Sequence, residues 1–205
     1  MFYLKIIKEI MIIITSVIGG IVAIIGLNTW KAQQRGKIAF ELSRRLLSNT
    51  YKLRDLIKHL RSPYMSGGEM ENPPDESPFI NSEEGKRYYR QYSGYKKRLT
   101  PLEKTKNKIL VDLTEAEALW GAEIREKYDQ LFSTINELVV EIDMYLLRLN
   151  PEQHAIRFSG ETTEQTKTRN NLMYRSSKND EFNQKISKNI EEIENLIRPH
   201  LKYQK

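Results

Sequence analysis

The chain is expected to be all-α, with one amino-terminal transmembrane helix followed by an elongated, coiled-coil-like helical bundle. Three observations predict this. Residues 10–27, IMIIITSVIGGIVAIIGL, run eighteen positions without a charge. Leucine and isoleucine then recur at alternating steps of three and four over much of the remaining chain, the spacing of a helix with one apolar face. Four of the seven prolines are gathered in residues 62–82, which leaves the periodic segments almost unbroken. Charged residues make up 29% of the 205 and hydrophobic ones 39%, so the part outside the apolar run suits a surface-rich fold better than a large compact core. There is no cysteine, which excludes disulfides, zinc–thiolate sites and thiol nucleophiles.

Residues 1–29 read as a membrane anchor. At about 1.5 Å per residue, residues 10–27 reach about 27 Å, close to the hydrocarbon thickness of a bilayer. A secretory signal peptide would have a shorter apolar core and an A-x-A-like cleavage site, and neither is found. Lys5 and Lys8 precede the run, whereas Lys31, Arg35, Lys37, Arg44 and Arg45 follow it. The positive-inside rule then places the carboxyl side in the cytoplasm of a single-pass plasma (inner) membrane protein. Tyr3 and Trp30 stand where aromatic rings favour the headgroup layer. Ser16, Gly19, Ala23 and Gly26, with Gly20 beside them, form a stripe of small residues. Such a stripe suits a transmembrane dimer face, although glycine is common in membrane helices for other reasons.

Residues 30–61 are expected to continue the anchor as a juxtamembrane helix. Ala39, Leu42, Leu46, Asn49, Leu53, Leu56 and Leu60 form a seam, which Leu47 and Ile57 widen towards a multi-helix packing face. Asn49 is either a register-fixing polar member of that seam or a surface position beside Thr50. The bases Lys31, Arg35, Lys37, Arg44 and Arg45 fit contact with anionic lipid, at about 1 kcal/mol each near the surface; the same residues equally fit a role in topology alone. The run WKAQQRGKIAFELSRRLLSNTYKLRDLIKHLRSPY, residues 30–64, resembles the start of small uncharacterised bacterial single-pass membrane proteins. These share a Trp-Lys, a Gly-Lys, an Ala-x-x-L-x-R-R-L-L helix and a Tyr-Lys-Leu-Arg-Asp after an apolar anchor. The resemblance implies a bacterial inner-membrane protein and no particular activity.

Residues 62–82 carry four acids and no base, with Pro63, Pro73, Pro74, Pro78, Gly67 and Gly68, and read as a solvated, mobile loop. Residues 83–198 are expected to form the helical bundle domain. Within it, residues 86–98, KRYYRQYSGYKKR, interleave Lys86, Arg87, Arg90, Lys96, Lys97 and Arg98 with Tyr88, Tyr92 and Tyr95 at helical spacing. Cations beside rings suit single-stranded nucleic acid or anionic lipid; the plainer reading packs the tyrosines inside and turns the bases to solvent or to an acidic helix. Residues 109–151 supply such a helix, with nine acids against three bases. Thr100-Pro101-Leu102-Glu103 reads as a helix start and Asn150-Pro151 as its stop. The seam shifts near Gly121, and one long helix, 101–149, with a local defect there is favoured over two helices. Residues 154–179 look like a loop, and a last helix is expected over 180–198, with Phe182, Ile186, Ile190, Ile193 and Ile197 inward and Pro199 closing it.

No catalytic constellation emerges. His59, His154 and His200 are the only histidines, and Asp55–His59 at i, i+4 is half a metal site at best. The acids Glu115, Glu117, Glu123, Glu126 and Asp129 read as a solvated or base-facing side rather than as paired catalytic acids. No cofactor, metal or small-molecule substrate is expected. The function expected is that of a non-enzymatic, membrane-anchored scaffold that self-associates or docks a protein partner along its seams. The alternative is a tethered binder of anionic lipid or nucleic acid through residues 86–98.

Overall fold

A computed structural model describes residues 2–156, 162–174 and 180–201. Five α-helices follow in order: α1 Phe2–Leu60, α2 Glu83–Trp120, α3 Glu123–Leu149, α4 Thr163–Met173 and α5 Glu181–Ile197, with short 3-10 turns at Pro151–Ile156 and Arg198–Leu201. There is no strand among the described residues. The apolar run and the juxtamembrane segment are one helix, since nothing in residues 2–60 breaks it: there is no proline, and Gly36 is tolerated. Its 59 residues reach about 88 Å.

The part of α1 beyond residue 39 packs against α2, α2 against α3, α3 against α5, and α5 returns to α1. Each neighbour in this cycle runs antiparallel to the last. Arg45 near the start of the packed part of α1 meets Asp112 and Glu115 late in α2, whereas Arg98 early in α2 bonds to Ser62 just past α1. Likewise Lys127 at the start of α3 pairs with Glu192 of α5, and Glu137 further along α3 with Lys185. The inward face holds Leu42, Leu46, Leu53 and Leu60 of α1, Ile109 and Leu113 of α2, Leu131, Ile135, Leu138 and Ile142 of α3, and Ile186, Ile190, Ile193 and Ile197 of α5. These are the periodic residues of the sequence, and burying each such side chain is worth about 1.5–3 kcal/mol.

Several boundaries differ from expectation. α2 begins at Glu83, where the Ser82 hydroxyl accepts from the Gly85 amide, and runs straight through Pro101. Proline removes one helical hydrogen bond there, and the Thr100 hydroxyl donates to the Lys96 carbonyl on the disturbed turn, while Arg98 and Leu102 bury the flanking face. Gly85 fits closely, because a Cβ there would lie 2.6 Å from the Phe79 carbonyl oxygen. The expected single helix over 101–149 is instead two antiparallel helices. Gly121 takes φ 91° and turns the chain between them, a conformation that favours glycine. The expected loop at 154–179 holds α4, capped by a reciprocal pair between Thr162 and Gln165. Residues 157–161 and 175–179 lie outside the described residues. The last helix is found as expected, with the Asp180 carboxylate accepting from the Asn183 amide at its start.

The seam of α1 is also adjusted. Asn49 is half-buried, and the fully buried polar residues of this helix are Ser43 and Thr50, the neighbour of Asn49. The Thr50 hydroxyl lies 2.6 Å from the Tyr128 hydroxyl and also donates to the Leu46 carbonyl, so the pair joins α1 to α3 inside the core. Burial pushes the Tyr128 hydroxyl pKa upward, which keeps it neutral.

Candidate functional site

Two surfaces bear the residues singled out in the sequence. The first is the amino-terminal part of α1. Every side chain described between Phe2 and Ile38 is exposed. Among them are twelve large apolar residues between Ile6 and Leu27. This is one helix long and apolar enough to cross a membrane, with an eighteen-residue window of mean hydropathy 2.7. Thr15 and Thr29 turn their hydroxyls back onto the Met11 and Ile25 carbonyls, which satisfies them without water. Ser16, Gly19, Ala23 and Gly26 are exposed along this segment, and a Cβ at Gly19 or Gly26 would meet nothing. Lys31, Arg35 and Lys37 project from the bare helix that follows. Arg44 is exposed one turn into the packed region, at the rim of a groove. Arg45 departs from the lipid-contact expectation: its guanidinium bridges Asp112 at 3.1 Å and Glu115 at 3.0 Å, so it ties α1 to α2.

The second surface is the start of α2 with residues 62–82 laid across it. The segment is irregular, as expected, but it is pinned. Arg98 is only 2% exposed. Its guanidinium donates to both carboxylate oxygens of Glu69 and to the Ser62 and Tyr64 carbonyls. Lys97 pairs with Glu71 at 2.6 Å and donates to the Gly68 carbonyl, and the Ser93 hydroxyl accepts from the Glu71 amide. The Arg98 hydrogen bonds hold the Glu69 carboxyl far below its usual pKa, at about 2. Tyr95 is likewise inside, edge-on to Tyr145, with its hydroxyl pKa raised by burial. Arg98 and Tyr95 therefore belong to the packing, not to a ligand-binding face. The acidic segment is the counter-charge that draws Arg98 inward.

The remaining members of this segment stay nearer solvent. Tyr88 packs between Phe79 and Tyr92, and Lys96 sits 5.6 Å from the Tyr92 ring. Lys86 pairs with Glu83. Arg87 and Arg90 line a shallow hollow of about 320 Å³ with Lys86, Met70 and Asn72. Across residues 62–98 as a whole, six acids offset six bases, so little net charge is left to attract a polyanion.

Arg61 carries no motif in the sequence. It is 2% exposed, and its guanidinium donates to the Leu172, Asn171 and Tyr174 carbonyls at the end of α4 and to Asp180 at 2.9 Å. It thus joins the end of α1 to the carboxyl terminus of α4 and the start of α5. Its position at the very end of the α1 seam was the available signal. For α4, the signal was the capping box Thr162-x-x-Gln165.

His59 faces Glu69 at 3.0 Å, and Asp55 faces Arg54 and Lys58. Among the described residues no group of three or more His, Asp or Glu is placed to hold a metal ion. His200 stacks on Trp120 with ring centres 4.4 Å apart; the side chain of His154 lies outside the described residues. Of the acids on the expected long helix, Glu115 faces a base of α1, Arg45, whereas Glu117 pairs with Arg125 across the Gly121 turn. Comparison with family profiles, with curated proteins and with solved structures finds no match to this chain.

Proposed function

We propose that the protein is a non-enzymatic helical interaction module, anchored in the plasma (inner) membrane by residues 10–27 with its packed helices as a cytoplasmic bundle. One observation carries this reading: the apolar part of α1 is bare. Twelve large apolar side chains lie exposed there. Leaving each in water forfeits about 2 kcal/mol, a total above the 5–15 kcal/mol that holds a typical domain together. Lipid removes that cost. The bases after the run, Lys31, Arg35 and Lys37, outnumber those before it and favour the cytoplasmic side. Beyond them, a rigid continuation of the same helix carries the packed region, a form suited to presenting surfaces to other proteins.

Within this reading, anionic lipid belongs with the stalk and not with residues 86–98. Along α1, residue 61 lies about 50 Å beyond residue 27, and the start of α2 reaches further still. Screening at physiological salt acts over about 8 Å, so the distal bases do not feel the headgroups of the anchoring bilayer.

Alkaline carbonate extraction of membranes tests the anchor, and labelling tests the side. The full-length chain is expected in the carbonate pellet. A cysteine placed at Ser48 is expected to react with a membrane-impermeant maleimide only after the cells are opened. Release into the supernatant, trimming behind residue 27, or labelling in intact cells overturns the reading.

A further inference from the structure

A groove of about 460 Å³ opens beside α1, lined by Arg44, Leu47, Ser48, Tyr51, Arg198 and Leu201. Its floor is apolar and its rim carries two guanidinium groups. On another face of the packed helices, Val111 of α2 is 74% exposed, more than any other aliphatic side chain described beyond the apolar run. We propose that this groove receives the outward strip of α2, centred on Val111, from a second copy of the chain. The proposal deepens the membrane-anchored reading and rests on it.

Height and charge both favour this contact. Two copies held in one membrane with the same orientation meet only through surfaces at equal distance from it. The Arg45 bridges to Asp112 and Glu115 show that residues 44–51 of α1 and 108–115 of α2 lie at the same level. Because α2 runs antiparallel to α1, a neighbour's α2 approaches this groove antiparallel and in the same register. Arg44, Ser48, Tyr51 and Asp55 follow one another at steps of four, three and four on α1. Glu115, Val111, Lys108 and Lys104 do the same in reverse on α2. The register sets Arg44 opposite Glu115, Val111 over the Leu47 floor at Ser48, and Asp55 opposite Lys104. The two charged pairs are attractive and the central contact is apolar, while Arg198 on the rim is already held by Glu194 at 2.6 Å. Glu115 and Asp55 each hold a base within their own chain yet keep 45% and 63% of their side chains exposed, which leaves an edge for a second cation. The two faces differ, so the contact is heterologous and extends beyond a pair.

The absence of native cysteine makes the test clean. Full-length Ser48→Cys and Val111→Cys chains are co-expressed, and the membranes are treated with a short bis-maleimide. The expected result is a cross-linked dimer from the mixture, several-fold above either variant alone, and a ladder of higher species from the Ser48→Cys/Val111→Cys chain. Adding Val111→Lys to chains carrying Ser48→Cys and Lys108→Cys should cut the Ser48–Lys108 cross-link about tenfold, since an ammonium set on the apolar floor beside the Arg44 and Arg198 guanidinium groups is repelled. Circular dichroism of each variant should match that of the parent. Equal linking of Ser48→Cys to itself, equal linking to the exposed control Val140→Cys, or no linking at all overturns the proposal. Carbonate extraction of the same membranes separates the failures: a pelleted but unlinked protein leaves the anchor standing, whereas a released one removes the equal-height argument and both readings together.

Discussion

The protein has two basic stretches of similar make-up, and they end in opposite situations. Lys31, Arg35 and Lys37 stand on a single bare helix, and no acidic segment among the described residues lies against them. Lys97 and Arg98 lie under residues 62–82, paired with Glu71 and Glu69, and Arg98 is sealed from water. Charge alone did not distinguish them. What distinguishes them is the surface opposite: solvent in one case, an acidic extended segment in the other. A cation facing water keeps its long-range field, which is available to a membrane surface. A cation facing a carboxylate has that field neutralised and holds the fold instead.

The largest test of this contrast is Arg98→Met. It removes the guanidinium that pairs with the Glu69 carboxylate and leaves the Ser62 and Tyr64 carbonyls without that donor, and a loss of about 3–5 kcal/mol is expected in denaturant unfolding of the protein in detergent. Proteolysis within residues 62–82 should rise with it. A change below about 1 kcal/mol would show that residues 62–82 are held by something else.

Acid sharpens the same point. The Glu69 carboxyl has a folded pKa of about 2 against an ordinary value of 4.5. A depressed pKa contributes stability that is complete above the ordinary value and is lost as the pH falls from about 4.5 towards 2. The loss is at most about 3.5 kcal/mol, since a tenfold change in proton affinity is worth about 1.4 kcal/mol. Hydrogen exchange of the 62–82 amides should accelerate through that window. Glu69→Gln should remove that pH dependence, and amides in α3 and α5 should show far less of it.

The stalk answers differently. On the proposed membrane-anchored reading, replacing Lys31, Arg35 and Lys37 together by glutamine leaves Arg44 and Arg45 against Lys5 and Lys8, so the orientation bias narrows. A fraction of chains is expected to expose a cysteine at Ser48 to external maleimide. Lys96→Gln/Lys97→Gln should leave orientation unchanged. The smallest effect belongs to stability: Arg35→Ala should shift the unfolding free energy by no more than about 0.5 kcal/mol, because that side chain holds no part of the fold. A larger shift would mean the stalk is packed against something.

The helical class, the core faces of α1, α3 and α5, and the start of α5 were all legible, because a 3.6-residue period and a capping aspartate are local signals. Boundaries failed where a local signal competed with packing. Thr100-Pro101 reads as a helix start, yet α2 passes through it because Arg98 and Leu102 are buried on either side. Gly121 reads as a defect in one helix, yet antiparallel packing of α2 on α3 makes it a reversal. In the basic tyrosine segment, the period correctly placed Tyr88, Tyr92 and Tyr95 on a helix but could not say that Tyr95 faces Tyr145 or that Arg98 is enclosed.

By itself, the sequence determined an apolar run long enough for a bilayer, the sign of its flanks and the stripe each helix must hide, since these depend only on composition and spacing along the chain. Tertiary structure alone decided which cations stay in water and which vanish beneath carboxylates, because pairing depends on what a segment tens of residues away is folded against. That long-range choice turned Arg61 and Arg98 into clamps, left Lys31, Arg35 and Lys37 bare, and set Val111 level with the groove beside α1.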